Sequence, residues 1–308
     1  MSLLIVGTVA FDKIETPAGK TDAILGGAGT YIGIASSYFY KKINLISVVG
    51  EDFPDQYTTL LEDHKINTAG IKKVVGGKTF FWEGKYHTNM NQRDTISTEL
   101  NVLANFDPIV PDAYQDCDFL MLGNLDPSVQ IKVLNQLKKR PKLVVMDTMN
   151  FWMDLMLEKL LETIKRVDVL SINEEEARQL SAEHSLVLAA RKILTMGPKY
   201  LIIKKGEHGA LLFDKSENCF FAPALPLENV FDPTGAGDTF AGGFIGHLAK
   251  TNDLSFDNMK SAVLYGSALA SLSVEKFGTD KIAFLSKEDI NKRIESFQKL
   301  IHSNLSII

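Results

Sequence analysis

Residues 231 to 248 read FDPTGAGDTFAGGFIGHL, and the rest of the chain is read outward from them. A Pro-bearing approach, Asp232-Pro233-Thr234, leads into three small residues, Gly235, Ala236 and Gly237. A carboxylate, Asp238, then stands at the mouth of an apolar, glycine-spaced helix. Small residues let successive backbone N–H groups converge on one point, and the positive end of a helix dipole favours an anion there. A carboxylate beside an anion pocket makes chemical sense when something between the two must lose a proton. The stretch therefore predicts phosphoryl transfer to a hydroxyl, with Asp238 as the base. Taken alone, Asp238 has a second reading as a carboxylate capping the helix.

The bulk composition agrees with an enzyme of this kind. Of the 308 residues, 45% are hydrophobic and 23% charged, an ordinary balance for a globular chain with a large core. A formal net charge of −5 argues against nucleic acid as a partner, because such proteins carry a basic footprint. No run of 18 apolar residues occurs, and no basic leader precedes the first strand pattern. The expectation is a cytoplasmic protein with no membrane partner. The two cysteines, Cys117 and Cys219, lack metal-ligand spacing and read as idle thiols in a reducing compartment.

Leu3 to Val6 is a short apolar run ending at Gly7, a buried strand, with Asp12 five residues beyond at the carboxyl end where open α/β sheets bind ligands. Gly26, Gly27 and Gly29 precede a helical pattern through Ile32, Ala35 and Phe39; this is neither GxGxxG nor a P-loop. Leu45 to Val49 is a second strand, and 54–65 reads as helix. Lys78 to His87 (KTFFWEGKYH) changes character: aromatics and threonine beside glycines predict a β excursion, a lid, continued by polar residues through Arg93. From 119 onward strand runs (Phe119–Leu122, Leu143–Met146, Val167–Ile172, Tyr200–Ile203) alternate with helical patterns at 128–138, 153–165 and 185–195. That rhythm predicts βαβ units and a mostly parallel sheet. Polar residues close those strands: Asn124 and Asp126, Asp147 and Asn150, Asn173 and Glu176, Lys204 and Lys205. Phe220 to Val230 reads as a connecting segment. Two helices follow near 257–275 and 287–301, the first rich in Ala and Ser, including Ser267, which permits close packing on a neighbour or a nucleotide.

DPTGAGDTF resembles the C-terminal signature of the ribokinase-like, or PfkB, carbohydrate kinase family. The strand–Gly–Asp12 opening, Gly26-Gly27, Gly50-Glu51-Asp52, Asn173-Glu174-Glu175-Glu176 and Lys204-Lys205-Gly206-Glu207-His208-Gly209 fall in family order and span nearly the whole chain. The resemblance implies a three-layer α/β/α fold with a mostly parallel central sheet and a small β lid. It also implies one kinase unit over 1–308, with lid segments at about 9–17 and 76–101. By the same resemblance Asp238 is the catalytic base, and Gly235, Ala236 and Gly237 form the anion hole. Asn173 and Glu176 organise Mg²⁺ and phosphates, Glu176 through water. Lys204, Gly206, Gly209 and Ser267 stand on the ATP side, and Asp12, Gly26 and Gly27 on the sugar side. Asp232, Thr234, Ser273 and Gly278 sit where many members bind a monovalent cation, with K⁺ as the candidate ion.

Departures from the pattern concern the acceptor. The ribose-kinase asparagine that follows the glycine pair is here Tyr31. Phe80, Phe81, Trp82 and Tyr86 in the lid offer flat surfaces for stacking, or simply pack the lid. Arg93 is a candidate for an anionic or heavily hydroxylated acceptor, and Asn124 is a further acceptor-side candidate. Asp147, Asn150 and Trp152 resemble, with imperfect spacing, a D-x-N-x-x-x-W region of ketodeoxygluconate-type kinases. Three readings stay open: a sugar kinase, a nucleoside kinase of the same fold, and a catalytically silent nucleotide- or sugar-binding regulator. An exposed aromatic flap at 80–86 is compatible with a homodimer formed through the lid.

Overall fold

The computed structural model describes residues 1–302; of the expected 1–308 unit, 303–308 lie outside the described residues. Fourteen strands among them run in chain order. They are β1 (Leu3–Val6), β2 (Ala10–Thr16), β3 (Gly19–Lys20), β4 (Ile24–Gly26), β5 (Ile43–Gly50), β6 (Ile66–Val74) and β7 (Phe81–Tyr86). Then come β8 (Arg93–Glu99), β9 (Phe119–Leu122), β10 (Leu143–Asp147), β11 (Val169–Asn173), β12 (Tyr200–Lys204), β13 (Ala210–Asp214) and β14 (Cys219–Ala222). The helices are α1 (Ala28–Ser37), α2 (Asp55–Asp63), α3 (Pro127–Gln136), α4 (Asn150–Leu155) and α5 (Leu157–Ile164). α6 (Glu174–Ser181), α7 (Leu186–Thr195), α8 (Ala236–Thr251), α9 (Phe256–Ser273) and α10 (Lys287–Ile301) complete the set.

Nine strands form the central sheet in the order β14-β13-β12-β11-β10-β9-β1-β5-β6, parallel from β12 to β6 and antiparallel at β13 and β14. All four residues of β1 are buried, because the sheet is covered on both faces and a continuous apolar run satisfies both. Leu3 and Ile5 enter one core with α1, α2, α8, α9 and α10; Leu4 and Val6 enter the other with α3, α5, α6 and α7. The result is the expected three-layer α/β/α fold. The glycine spacing of α8 has a packing cause. Side chains at Gly242 and Gly246 would strike Ile32 and Ser36 of α1, and one at Gly243 would strike Gly266 of α9, so three helices meet backbone to backbone.

The lid is a second, five-stranded sheet, β3-β2-β7-β8 with β4 on the other flank of β2. Its first arm runs from β2 through β3 and β4 to Gly26, and its second is β7 and β8. Asp12 accordingly lies on β2 inside the lid sheet rather than at the end of β1. Its register partner there is Trp82 on β7.

Other differences lie at edges and breaks. The single helix expected over 153–165 is two, because Met156 leaves the helical region (φ −140, ψ 35). Trp152 is held by Asn124 at 2.9 Å, while α5 turns to bury Leu160 and Ile164. Three strands, β6, β13 and β14, lie outside the expected strand runs, although β13 (ALLFD) and β14 (CFFA) are themselves short apolar runs, and β14 overlaps the start of the segment 220–230 read as a connection. β6, at the sheet edge, mixes polar and apolar residues because an edge strand needs fewer covered faces. The helix α6 opens on three glutamates that mask its apolar face. Neither cysteine is paired: Cys117 is buried and Cys219 exposed.

Candidate functional site

The approach to α8 is pinned before the helix begins. Asp232, 1% exposed, accepts from the backbone N–H of Thr234 (2.8 Å) and of Gly278 (2.8 Å). The backbone N–H groups of Phe231 and Asp232 both donate to the Val274 carbonyl, one residue past Ser273. Asp232, Thr234, Ser273 and Gly278 are thus brought to one place, with both Asp232 oxygens committed to backbone donors. Gly235 then turns the chain in the left-handed region (φ 72), and the ring of Tyr31 lies directly beneath it. Above Gly237, among the described residues, an added Cβ would have only the end of the Lys204 side chain near it, with Nζ at 3.3 Å. The turn therefore forms a cradle at the N-terminus of α8 beneath the Lys204 ammonium, with the Ala236 N–H taken by the Pro233 carbonyl.

Register delivers the groups around that cradle. Lys204 ends β12 opposite Asn173, which ends β11, and Asp147 ends β10 opposite Ser171. Lys204 Nζ donates to Asp147 Oδ2 at 2.8 Å. Asn173 and Glu176 form a reciprocal capping box: Asn173 Oδ1 accepts from the Glu176 N–H, and Glu176 Oε2 accepts from the Asn173 N–H, both at 2.8 Å. That leaves Glu176 Oε1 without a hydrogen bond among the described residues. Burial raises Glu176 to about 7, against the pull of Lys204 and with the push of Asp147. Asp238 is likewise raised, by burial first and by Asp147 second, with Lys204 and Arg93 opposing. Lys204 is itself raised: burial opposes its charge, but Asp147 and Glu176 outweigh it. Gly206 and Gly209 shape the turn that follows β12, both at positive φ. Ser267 is half-buried on α9 and makes no hydrogen bond to the other candidates.

On the opposite side the Asp12 carboxylate lies over Gly26, where a Cβ would fall 1.9 Å from Oδ2, and accepts from the Gly27 backbone. Burial, with Asp232 and Asp238 nearby, raises Asp12 to about 7, although Gly27 and Arg93 pull it down. Tyr31 is 1% exposed, and its hydroxyl has no partner among the described residues. Asn124 is turned away from this group. Its Oδ1 accepts from Trp152 Nε1 and its Nδ2 approaches Met149 Sδ at 3.1 Å.

A buried carboxylate raised in this way makes the folded chain bind a proton that the unfolded chain releases. Its stabilising contribution is full below pH 4 and is lost as pH rises through about 7. Asp12→Asn is therefore expected to raise the melting temperature of the ligand-free protein at pH 8 more than at pH 5.5. The difference in stability is on the order of 2 kcal/mol. Equal shifts at both pH values, by thermal fluorimetry, would remove this electrostatic account.

Hydrogen bonds hold the lid over the cradle at several points. Thr16 Oγ1 donates to the Phe231 carbonyl (2.9 Å), and Thr234 Oγ1 donates to the Tyr86 hydroxyl (3.1 Å). At the lid tip, Asn91 Nδ2 donates to Glu207 Oε1 (2.9 Å), beside Gly206. Arg93 pairs in register with Tyr86 and sits 5.6 Å from the centre of the Trp82 ring. Asp147 stood in the sequence as one polar strand end among several and as part of an imperfect D-x-N-x-x-x-W resemblance; neither showed its pairing with Lys204, which depends on the strand register. Tyr86 gave an aromatic signal but no hint of Thr234, and nothing local singles out Asn91 or Glu207.

The family model for pfkB family carbohydrate kinases matches residues 8–284. The cytidine kinase of Thermococcus kodakarensis is 29% identical over 260 residues, 82% of this chain and 91% of that one. The nucleoside kinase of Burkholderia thailandensis, solved with inosine, superposes with a TM-score of 0.77 at 18% identity, over 96% of this chain and 98% of that one. An Escherichia coli protein solved with ATP and Mg²⁺ under the name ribokinase II superposes at 0.79 with 19% identity, over 97% of this chain and 99% of that one. With one family model spanning the site and every strand but β1, this chain belongs to the pfkB family of carbohydrate kinases.

Proposed function

We propose that the chain transfers the terminal phosphoryl group of ATP to a primary hydroxyl of a sugar or sugar derivative held between Asp12 and Asp238. The observation that carries this is the cradle at Gly235 to Gly237, with a half-buried ammonium on one side and a carboxylate, Asp238, at its edge. Asp238 takes the acceptor proton, while the helix N–H groups and Lys204 meet the charge on the moving phosphoryl group. The lid excludes water, which keeps ATP from simple hydrolysis.

The donor set fits a nucleotide that arrives with a divalent cation. Asp147, Glu176 and Asp238 surround a single lysine, so a bare triphosphate would meet more negative than positive charge. Among the described residues no cluster of three carboxylate, histidine or cysteine side chains could cage a metal. Mg²⁺ would ride on the phosphates, with the free oxygen of Glu176 reaching it through water. Its charge would neutralise the β and γ oxygens. A monovalent cation such as K⁺ near Asp232 would rely on backbone oxygens, since both carboxylate oxygens already accept from N–H groups.

Among acceptors we favour a nucleoside over a free sugar. Tyr31 fills the position of the ribose-type asparagine and is packed beneath Gly235, so hydroxyl recognition of that kind is displaced. Trp82 on the lid, and the kinship with a protein named cytidine kinase, point the same way. Coupled ADP release with nucleosides, pentoses and sugar acids, with Mg²⁺ present, tests this. We expect turnover with at least one nucleoside at low KM; turnover with pentoses alone would overturn the preference. No release with any acceptor would overturn the kinase reading of this site.

A further inference from the structure

Asp147 and Lys204 end two strands of the central sheet, β10 and β12, which are separated by β11. Neighbouring strands lie about 4.8 Å apart, so the lysine must reach across the end of β11 to meet the aspartate. It does so, with Nζ donating to Asp147 Oδ2 at 2.8 Å, and its side chain is left only 18% exposed. The aspartate is itself buried and held, because its Oδ1 accepts from the Thr148 backbone N–H at 2.8 Å. Glu176 on α6 and Asp238 on α8 also bear on the ammonium, but Asp147 is its one hydrogen-bonding partner among the described residues. Glu176 is instead turned into the capping box with Asn173. An ammonium has three donors, so two remain for the cradle, where a Cβ on Gly237 would lie 3.3 Å from Nζ.

A buried carboxylate in such a place can accept a proton, bind a metal or anchor a neighbouring charge. Asp147 has both oxygens committed, and the first two roles would require it to give up Lys204. Resting on the kinase reading above, we infer that Asp147 is a positioning residue, which holds the Lys204 ammonium against the α8 cradle before the phosphates arrive. A lysine side chain is long and freely rotating, so without an anchor its charge would have no fixed place. Burial would also favour its neutral form; Asp147 is the foremost of the groups that restore the charge, ahead of Glu176 and Asp238. Once anchored, the ammonium needs no reorganisation as charge develops on the phosphoryl group.

The test uses the full chain. In the ligand-free protein at pH 8, acetic anhydride should label Lys204 about 10-fold faster in Asp147→Asn than in the parent, the gain in neutral amine for one unit of lowered pKa. Peptide mass spectrometry reads this, and labelling of the other lysines should not change. In ADP release with the acceptor found above, Asp147→Ala should lower kcat about 10²-fold with acceptor KM little changed, the cost of a misplaced group. Lys204→Met should lower kcat about 10²–10³-fold. Adding Asp147→Ala to Lys204→Met should then cost less than about 3-fold more, because nothing is left to position. Losses that multiply in the double variant would overturn the inference, since Asp147 would then act by contacts of its own. A normal kcat in Asp147→Ala, or unchanged labelling of Lys204 in Asp147→Asn, would also overturn it. All three results leave the kinase reading standing. Absence of ADP release by the parent enzyme is the separate failure of that reading, and it takes the positioning role with it.

Discussion

Asp238→Asn is expected to abolish all but a residual turnover while leaving the fold and nucleotide binding intact. An amide cannot accept the acceptor proton, and general-base loss alone costs roughly 10²–10⁴-fold. The effect should be sharpened by the setting. Burial and Asp147 hold the Asp238 carboxyl above its ordinary range, which makes it a stronger base than a surface aspartate. The same shift fixes the sign of the pH dependence: the parent enzyme should lose kcat/KM as pH falls through the raised value, well above pH 4. This acid limb should vanish in the residual activity of Asp238→Asn. Removing a carboxylate from the group of Asp147, Glu176 and Asp238 also relieves repulsion, so the variant should melt no lower than the parent at pH 8. ADP release and equilibrium dialysis with ATP measure the two halves. Near-parental turnover would end the assignment of Asp238 as base.

The second large effect separates two glycines that look alike in the sequence. At Gly235 an added Cβ would fall 2.4–2.5 Å from three atoms of the Tyr31 ring, and the backbone sits at φ 72. Gly235→Ala should therefore lose both stability and activity. The left-handed conformation alone costs about 1–2 kcal/mol in an L-residue, and the overlap adds to it. Adding Tyr31→Ala should return part of the lost melting temperature, a coupling expected of residues in contact. At Gly237 an added Cβ meets only the end of a lysine side chain, and alanine is the better helix former. Gly237→Ala should thus melt at or above the parent temperature yet lose about 10²–10³-fold in kcat, because the methyl group occupies the cradle. If Gly237→Ala turns over normally, the phosphoryl group does not sit there.

Much of this was legible along the chain because the relevant physics is local. The alternation of apolar runs and helical patterns from 119 to 203 marks strands buried on both faces. The small residues before Asp238 mark a helix N-terminus open to an anion. Gly26, Gly27 and the NxxE pair are likewise short-range signals, and Asn173 and Glu176 do meet as a capping box. What escaped the sequence fell into two kinds. The edge strand β6 and the break at Met156 depend on edge position and on a tether to Asn124, neither of which has a periodic imprint. Asp12 was legible as a carboxylate near a sheet end, and only the family resemblance put the segment 9–17 around it in a lid; the pairing of its strand β2 with β7, some seventy positions away, has no local signal.

From the sequence alone came the proposed reaction centre: one helix start, three small residues and one carboxylate, adjacent in the chain and so positioned by local geometry. The tertiary structure alone decided what surrounds that centre. The pairing of Lys204 with Asp147, the ring of Tyr31 under Gly235, and the lid-to-body hydrogen bonds Tyr86–Thr234 and Asn91–Glu207 join residues 57 to 204 positions apart. Contacts of that range are set by strand register and by the docking of one sheet on another. No local pattern encodes them.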